Sequence, residues 1–298
     1  MCRWIAYAGG PVYLEELLFK PKHSLIDQSL AARAGETTTN GDGFGVGWYG
    51  TGATPGIYKG IQPAWSDENL LDLASQIRSP MFMAHVRSTT GTAIQRTNCH
   101  PFRHGRWLFQ HNGVISEFHK LKRDLVLAIS PDLFPEISGS TDSEIMFFLA
   151  LTFGLEHDPI VGVERTIGFI EAVARRHGVS RPLQMTLAIL DGQTLYAFRY
   201  SSEGKSRTLF YSASIAAMRK HFPDVQAFSD DARAVVSEPL GGIENVNRFW
   251  IEVPESSAVT IAAGNVNIAQ LRPRTGAAAR SPAEDAGAEK ISASEVSV

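Results

Sequence analysis

The chain has few cysteines, little net charge and no long apolar segment, and each shortage removes a class of protein. Two cysteines among 298 residues are too few for a disulfide framework or a four-cysteine zinc site. With 28 Lys+Arg against 31 Asp+Glu and no long basic run, the chain lacks the charge of a nucleic-acid or membrane-surface binder. The longest apolar run, residues 145–155, is about half a bilayer span and predicts a buried helix.

The first residues also lack a secretory signal. Met1 is followed by Cys-Arg-Trp-Ile-Ala-Tyr-Ala-Gly-Gly, which has no basic leader and no continuous apolar stretch. We therefore expect a cytoplasmic protein with reduced thiols and no membrane association. A chain of this length buries about three quarters of its unfolded surface, which is enough for a full hydrophobic core without cross-links.

Strand-like and helical patterns alternate along the chain without an internal repeat, which predicts an α+β fold of stacked sheets covered by helices. Helices are predicted at 24–34, with Ser24 as N-cap, and at 67–77, 117–128, 142–156 and 161–177. Strands are predicted at 3–8, 44–48, 81–87, 107–111, 183–190, 194–200, 208–212, 234–238, 249–253 and 259–262. We expect one domain over residues 1–271, followed by a disordered tail at 272–298 that is rich in Ala, Ser, Pro and charge.

Cys2 is the residue whose position is most unusual. The initiator Met is normally removed when the next side chain is small, and the mature chain would then begin with cysteine. A cysteine thiol, with a reference pKa of about 8.5, is a weak nucleophile at pH 7 unless a base is near. An α-amine titrates at about pH 7.7–8.0, so an N-terminal cysteine carries nucleophile and base in one residue.

Several polar blocks follow in a fixed order after the Met-Cys start. They are Asn-Gly-Asp-Gly at 40–43, the block around Arg87 and Thr90, His-Asn-Gly at 111–113, and Thr-Asp-Ser-Glu at 141–144. In this ordered set the sequence resembles the class II glutamine amidotransferases, which are N-terminal nucleophile hydrolases. The resemblance is strong over roughly residues 1–150. It implies a four-layer α-β-β-α sandwich and no cofactor.

The resemblance also implies a role for each matched residue. Cys2 would be the nucleophile, and the side chain of Asn112 with the backbone N–H of Gly113 would form the oxyanion hole. Arg87, helped by the hydroxyl of Thr90, would bind the α-carboxylate of a γ-glutamyl substrate. Asp142 would bind its α-ammonium group. The chain departs from the family in one place, because Thr92 stands where a glycine usually follows the arginine by five positions.

Each of these residues also has a structural interpretation. Arg87 could pair with a buried acid, Asn112-Gly113 could be a tight turn that ends the strand at 107–111, and Asp142 could cap the helix that begins there. The order of the blocks favours the substrate and oxyanion roles, and Asp142 could serve both purposes. Asp42 is expected to hold a loop near the site.

Two further patterns resemble cofactor sites without fitting them. The run Gly-Asp-Gly-Phe-Gly-Val-Gly at 41–47 is similar to the dinucleotide-binding motif G-x-G-x-x-G. The motif is not matched, because the position of its third glycine is not occupied by glycine, whether one counts from Gly41 or from Gly43. Cys99 and His100 near His104 and His111 lack the spacing of metal ligands. We therefore expect no metal and a buried, packing role for Cys99.

These features predict an enzyme that cleaves a γ-glutamyl amide through a thioester on Cys2. Within the family the blocks are most similar to two stand-alone types, the subunit of a glutathione-degrading complex and the γ-glutamyl hydrolase of the ergothioneine pathway. The expected partner is a small-molecule γ-glutamyl substrate, with neither nucleic acid nor membrane and with a protein partner or homo-oligomer left open. Two alternatives remain: a glutaminase subunit that delivers ammonia to a separate synthetase, and a non-catalytic binding module with the same fold.

Overall fold

The computed structural model describes residues 2–33, 38–89, 91–215, 218, 226–242 and 249–274. Two compact units are formed. Unit 1 comprises Met1–Gly113, Met185–Tyr200 and Gly204–Gln270, and unit 2 comprises Val114–Gln184, Ser201–Glu203 and Leu271–Val298. The division into one domain at 1–271 and a tail stays a prediction, and residues 275–298 of that tail lie outside the described residues.

The strands pair into two antiparallel sheets. In chain order, the strands of the described residues are β1 (Arg3–Tyr13), β2 (Phe44–Trp48), β3 (Gly56–Gly60), β4 (Arg78–Val86), β5 (Phe102–His104), β6 (Trp107–Ile115), β7 (Leu183–Leu190), β8 (Leu195–Ser201), β9 (Phe210–Ser212), β10 (Arg233–Val236), β11 (Trp250–Glu252), β12 (Ser257–Ala262) and β13 (Asn265–Gln270). The first sheet has the order β11-β9-β10-β1-β4-β2-β3, and the second has the order β13-β12-β8-β7-β6-β5.

The central strand β1 divides its side chains between two apolar layers, because successive residues of a strand point to opposite faces. Trp4 and Ala6 pack with Leu108, Ala188 and other residues of the second sheet. Both layers are buried, which explains why the predicted strand at 3–8 has an almost continuous apolar sequence.

The other face of β1 packs on short helices of unit 1. Ile5 and Tyr7 belong to a second apolar cluster with Leu17, Leu25 and Leu70. These leucines lie on three helices: α1 (Glu15–Leu18), α2 (Leu25–Leu30) and α3 (Glu68–Gln76). Unit 1 is thus built of a helical layer and two sheets, consistent with the predicted α+β class.

A side-chain cap fixes where α2 begins. Ser24 accepts a hydrogen bond from the backbone N–H of Asp27, whose side chain accepts in turn from the N–H of Ser24. This reciprocal pair is a capping box, and the predicted N-cap at Ser24 is confirmed. The helix α2 ends at Leu30, earlier than predicted, and residues 34–37 lie outside the described part of the chain.

The described residues of unit 2 form three α-helices, α4 (Phe118–Leu127), α5 (Asp142–Thr152) and α6 (Pro159–Arg176). Most of the long apolar run falls on α5, where every residue from Ser143 to Thr152 is buried. The predicted buried helix is confirmed, although it ends at Thr152 and not at residue 156. Within the described residues, no helix is both long and apolar enough to cross a membrane. Arg274 donates to the buried Glu164 of α6, at 2.8 Å from Nε to Oε2.

The structure also corrects the predicted end of the strand at 107–111. Asn112-Gly113 was expected to be a turn that ends the strand at His111, but β6 continues through both residues to Ile115. Asn112 and Gly113 favour a turn by sequence, but Asn112 is held in the strand by hydrogen bonds. Its side chain bonds to Cys2 and Arg207, and its backbone carbonyl bonds to Thr186. Three strands, β3, β5 and β13, were not predicted. β13 is mostly exposed and β3 is half-buried, so neither has a strong apolar pattern, and β5 has only three residues.

Candidate active site

Cys2 directly precedes β1, and the pairing of β1 with β4 fixes its surroundings. Arg3 lies opposite Val86 in the antiparallel register, which brings Cys2 alongside Ser88, two residues beyond the end of β4. The Sγ atom of Cys2 lies 3.4 Å from the backbone N of Ser88 and 3.5 Å from its carbonyl oxygen. The thiol is therefore held against the main chain that immediately follows Arg87.

Two side chains donate to the backbone carbonyl of Cys2. Arg3 Nη1 lies 2.9 Å from this oxygen, and Asn112 Nδ2 also lies 2.9 Å from it. Arg3 is itself fixed by a buried ion pair, at 2.7 Å from its Nε to Oε2 of Glu238. The orientation of the Cys2 main chain is thus set by groups from two different strands and from the segment after β10.

Glu238 is the buried acid on which this arrangement rests. Its second carboxylate oxygen pairs with His23 Nε2 and accepts from the backbone N–H of Arg33 at 2.9 Å. Burial raises the pKa of Glu238, but the hydrogen bonds from His23, Arg33 and Arg3 outweigh it and lower the pKa to about 2. Glu238 is consequently ionised at neutral pH.

Asn112 lies in β6 with all of its polar side-chain atoms engaged. Its Oδ1 accepts from Arg207 Nη1 at 2.5 Å, and its backbone carbonyl accepts from the hydroxyl of Thr186 at 3.3 Å. Its Nδ2 donates to Cys2, as described above. Gly113 follows in the same strand. The two residues predicted to form an oxyanion hole are therefore both carried by β6, and Asn112 touches Cys2 directly.

Arg87 is 4 % exposed, and its guanidinium group is bound by its own loop. Nη2 donates to Thr92 Oγ1 at 2.6 Å and to Thr89 Oγ1 at 3.2 Å, while Nη1 donates to the carbonyls of Asp42 and Ala93, each at 3.3 Å. No acid pairs with Arg87 among these contacts. Thr92, the departure from the family pattern, is a direct partner of the guanidinium group.

The turn before β2 supports the Arg87 loop. Asp42 Oδ2 accepts from the backbone N–H of Thr89 at 2.8 Å, which confirms the predicted loop-holding role of Asp42. Gly43 adopts a φ of +107°, and a Cβ there would lie 2.7 Å from Cys99 Sγ, so glycine is required by both conformation and space. Cys99 is fully buried, as predicted.

Asp142 belongs to unit 2, where it is the first residue of α5. Its Oδ2 accepts from the backbone N–H of Ile115 at 2.8 Å, and its Oδ1 accepts from the N–H of Ser143 at 2.8 Å. The helix is capped by Thr141, whose hydroxyl accepts from the N–H of Glu144. Asp142 thus ties the end of β6 to the start of α5, and its role towards a substrate stays a prediction. Thr90 lies outside the described residues.

A pair of stacked imidazoles lies within unit 1 near Arg87. The rings of His85 and His100 are 4.2 Å apart between centroids, with 28° between their planes, and both residues are buried. Burial lowers the pKa of His85 to about 3 and lowers that of His100 well below 6.5, with Arg87 and Lys59 adding to both shifts. Both rings are therefore neutral at pH 7. Among the described residues, no group of three His, Cys, Asp or Glu side chains could hold a metal ion.

The structure brings Cys2, Arg87 and Asn112 together in unit 1 and adds residues that the sequence did not indicate. Arg3, Glu238 and Arg207 are the additions. The position of Arg3 beside Cys2 could have drawn attention to it. Glu238 and Arg207 had no local signal, because their partners lie 235 and 95 positions away along the chain.

A model of the family described as glutamine amidotransferases class-II matches residues 22–284. The chain therefore belongs to the class II glutamine amidotransferases, and it is an enzyme of the N-terminal nucleophile hydrolase type. The match begins after Cys2 and Arg3.

Particular relatives support this assignment. The chain is 33 % identical over 294 residues to the probable glutamine amidotransferase DUG3 of Saccharomyces cerevisiae, covering 88 % of this chain and 82 % of that protein. It is 29 % identical over 197 residues to the gamma-glutamyl-hercynylcysteine sulfoxide hydrolase of Mycolicibacterium smegmatis, covering 65 % of this chain and 81 % of that protein.

Solved structures share the fold. A glutamine aminotransferase class-II domain protein from Silicibacter pomeroyi superposes with a TM-score of 0.68 at 33 % identity, covering 91 % of this chain and all of that one. The glutamine phosphoribosylpyrophosphate amidotransferase of B. subtilis gives a TM-score of 0.61 at 15 % identity, covering 92 % of this chain and 50 % of that one. The second likeness concerns the fold alone, and it supports the predicted fold class.

Proposed function

We propose that this enzyme hydrolyses the γ-glutamyl amide bond of a small molecule, with Cys2 as nucleophile and a γ-glutamyl peptide as a better substrate than glutamine. The observation that carries the proposal is the direct contact of Asn112 with Cys2 while the Cys2 thiol lies against Ser88, the neighbour of Arg87. The two relatives described above, one of them named for a γ-glutamyl substrate, support the choice of substrate class.

The proposed roles follow the chemistry of a γ-glutamyl group. Its α-carboxylate is assigned to Arg87 and Thr90, because a guanidinium group binds a carboxylate through paired hydrogen bonds. The α-ammonium group is assigned to Asp142. The oxygen of the scissile amide is assigned to the side-chain N–H of Asn112 and the backbone N–H of Gly113, which are donors that need no reorganisation when negative charge develops.

The reaction proceeds in two stages. The α-amine of Cys2 takes the proton of the thiol, and the thiolate attacks the γ-carbonyl carbon to form a tetrahedral oxyanion. This intermediate breaks its C–N bond, the leaving amine takes the proton from the α-amine, and a γ-glutamyl thioester remains on Cys2. Water then attacks the thioester carbonyl, the thiol leaves, and glutamate is released. The scheme needs no metal or cofactor, and we place it in the cytoplasm on a small-molecule substrate.

A substrate panel tests the proposal. Purified protein is incubated with glutamine, glutathione and other γ-glutamyl amides, with and without cell extract, and released glutamate is measured. Glutamate from γ-glutamyl peptides without extract supports the proposal. Release from glutamine only in the presence of a partner would instead indicate a glutaminase subunit of a synthetase, and no release under any condition would indicate a binding module.

The nucleophile is tested by paired cysteine variants. Cys2→Ala should abolish turnover and labelling by a glutamine-mimicking electrophile, while Cys99→Ala should retain both, because Cys99 is buried and outside the proposed chemistry. Turnover by Cys2→Ala would contradict the assignment. Intact mass should show that Met1 is absent from active protein, because the mechanism needs the free α-amine of Cys2.

The carboxylate site is tested by comparing two substrates. Arg87→Ala should chiefly impair substrates that carry a free α-carboxylate, since the guanidinium group is assigned to that group alone. Equal losses on an analogue without the carboxylate would show that Arg87 acts only on the structure of the loop.

A further inference from the structure

Arg207 is bound to the oxygen of the Asn112 carboxamide, the group that the proposed function places in the oxyanion hole. The distance from Arg207 Nη1 to Asn112 Oδ1 is 2.5 Å, and on the opposite side Asn112 Nδ2 lies 2.9 Å from the carbonyl oxygen of Cys2. We infer that Arg207 is a positioning residue, which holds the Asn112 carboxamide with its NH₂ group towards Cys2. This inference rests on the proposed function.

The two contacts of Asn112 have opposite polarity, and together they permit a single orientation. The two ends of an asparagine carboxamide have almost the same shape, so packing alone does not distinguish them. A guanidinium group can only donate, and a peptide carbonyl can only accept. A flipped carboxamide would set its NH₂ group against Arg207 and its oxygen against the carbonyl of Cys2. It would then present an acceptor where the reaction requires a donor.

The guanidinium group is carried by a segment that is tethered on both sides. On the N-terminal side of Arg207, the backbone N–H and the hydroxyl of Ser206 donate to Glu255 Oε2, at 2.8 and 2.6 Å. After Arg207, the hydroxyl of Thr208 donates to the carbonyl of Ser237 at 3.1 Å. The backbone carbonyl of Leu209 accepts from the N–H of Val253 at 2.8 Å. Arg207 is partly buried between these anchors, so its position is fixed by the fold.

The same contact strengthens the proposed donor. A cation at Oδ1 draws electron density from the amide, and hydrogen bonds in a chain polarise one another. The N–H groups of Asn112 thus become better donors to a developing oxyanion. Because this benefit appears as charge develops on the substrate, loss of Arg207 should reduce kcat and leave KM almost unchanged.

A double-mutant cycle on a γ-glutamyl substrate tests this dependence. Loss of one oxyanion donor typically costs about 10²–10³ in rate, which is the expected effect of Asn112→Ala. Arg207→Met should lower kcat by about 10- to 100-fold, with KM changed less than about threefold, and Arg207→Lys should recover part of the loss. If Arg207 acts through Asn112, the double variant should be no slower than Asn112→Ala within about threefold.

Two results would overturn the inference. One is a double variant whose loss is the product of the two single losses, because Arg207 would then act independently of Asn112. The other is a rise in KM at constant kcat in Arg207→Met, which would make Arg207 a contact of the substrate. Arg103→Met is the matched control and should keep wild-type kcat. Arg103 Nη1 also donates to an oxygen, at 2.9 Å, but that oxygen is the backbone carbonyl of Pro55.

A readout without turnover separates this inference from the proposed function. The side-chain amide signals of Asn112 in a ¹H–¹⁵N NMR spectrum are identified by their loss in Asn112→Ala. In Arg207→Met we expect these signals to shift and their exchange with solvent to accelerate, with the melting temperature close to that of Arg103→Met. Unchanged signals would refute the positioning role even in an active enzyme. Changed signals in a protein that cleaves no γ-glutamyl amide would leave the positioning intact and reject the proposed function.

Discussion

At the scale of single residues, the charges of two buried groups in the candidate site, Glu238 and His85, are fixed by their surroundings. Glu238 is kept anionic by Arg3, His23 and the N–H of Arg33, whereas His85 is kept neutral because burial penalises the imidazolium form. These two shifts destabilise the folded protein in acid over different pH ranges. They can therefore be distinguished by experiment.

The first prediction concerns His85. Its pKa is about 3 in the folded protein and about 6.5 in an unfolded chain, so the unfolded chain binds the extra proton as the pH falls below 6.5. Stability should decrease from pH 6.5 towards pH 3, and between pH 6.5 and 4.5 His85→Gln should reduce the slope by up to about 1.4 kcal/mol per pH unit. Urea unfolding at several pH values measures this slope. The control is the same substitution, His157→Gln, at an exposed histidine. An unchanged slope in His85→Gln would contradict the prediction.

The second prediction concerns Glu238. Its pKa is lowered from 4.5 to about 2, so its contribution to stability is complete above pH 4.5 and is lost as the pH falls to 2. From this shift, Glu238→Gln should cost about 3 kcal/mol of unfolding free energy at pH 7, and the difference from wild type should shrink by pH 3. Urea titrations of both proteins at pH 7 and pH 3 measure this difference in unfolding free energy. Glu15→Gln, at a surface pair with Lys20, should have little effect at either pH.

The sequence indicated some residues of the candidate site and missed others for a physical reason. Cys2, Arg87 and Asn112 occur in short blocks, each of which has a chemical signature. The contacts of Arg3 with Glu238 and of Asn112 with Arg207 join positions that are far apart in the chain. Such contacts depend on the order of strands in the sheets, and no local pattern encodes that order.

At the scale of elements, helix starts could be predicted better than strand ends. Ser24 and Thr141 cap helices where short polar side chains precede an apolar pattern, and local hydrogen bonding decides such starts. Strand ends depend on partners. The dipeptide Asn112-Gly113 has the sequence of a turn, yet it remains in β6 because its groups are bound by Cys2, Arg207 and Thr186.

The third prediction tests a helix cap. Asp158 accepts from the backbone N–H groups of Ile160 and Val161 at 3.0 and 3.1 Å at the start of α6. Asp158→Ala should lower the unfolding free energy by about 1 kcal/mol, measured by chemical denaturation. Asp158→Asn keeps a capping oxygen and should remain close to wild type; an equal loss in both variants would show that the charge, and not the cap, is what stabilises the helix.

At the scale of the whole molecule, the glycine face of β2 allows two parts of unit 1 to approach closely. A Cβ at Gly45 would lie 2.1 Å from the carbonyl oxygen of His100, and one at Gly47 would lie 2.9 Å from side-chain atoms of Leu108 and Pro101. The strand predicted at 44–48 is confirmed, and Gly45 and Gly47 leave one of its faces without side chains. The close packing between that face and the residues that follow Cys99 was not predictable, because it depends on how the sheets stack.

The fourth prediction is that Gly45→Ala damages this packing. The added methyl group would meet a backbone atom that cannot rotate away, so the loss of unfolding free energy should reach or exceed the roughly 1–3 kcal/mol that is typical of overpacked cores. Gly50→Ala is the matched control, because nothing lies within 4 Å of a Cβ at that position. Melting temperatures and soluble yields of the two variants measure the difference, and equal values would contradict the close approach.

The position of β1 has a consequence for how the enzyme would be inactivated. The strand that starts one residue after Cys2 is hydrogen-bonded on both sides, to β4 and to β10, and central strands open only when the surrounding fold opens. Fraying, which usually begins at chain ends, is therefore opposed directly beside the thiol. Heat or denaturant should leave the surroundings of Cys2 intact until global unfolding. We therefore expect labelling of Cys2 by the glutamine-mimicking electrophile to fall in step with the folded fraction along a melting curve.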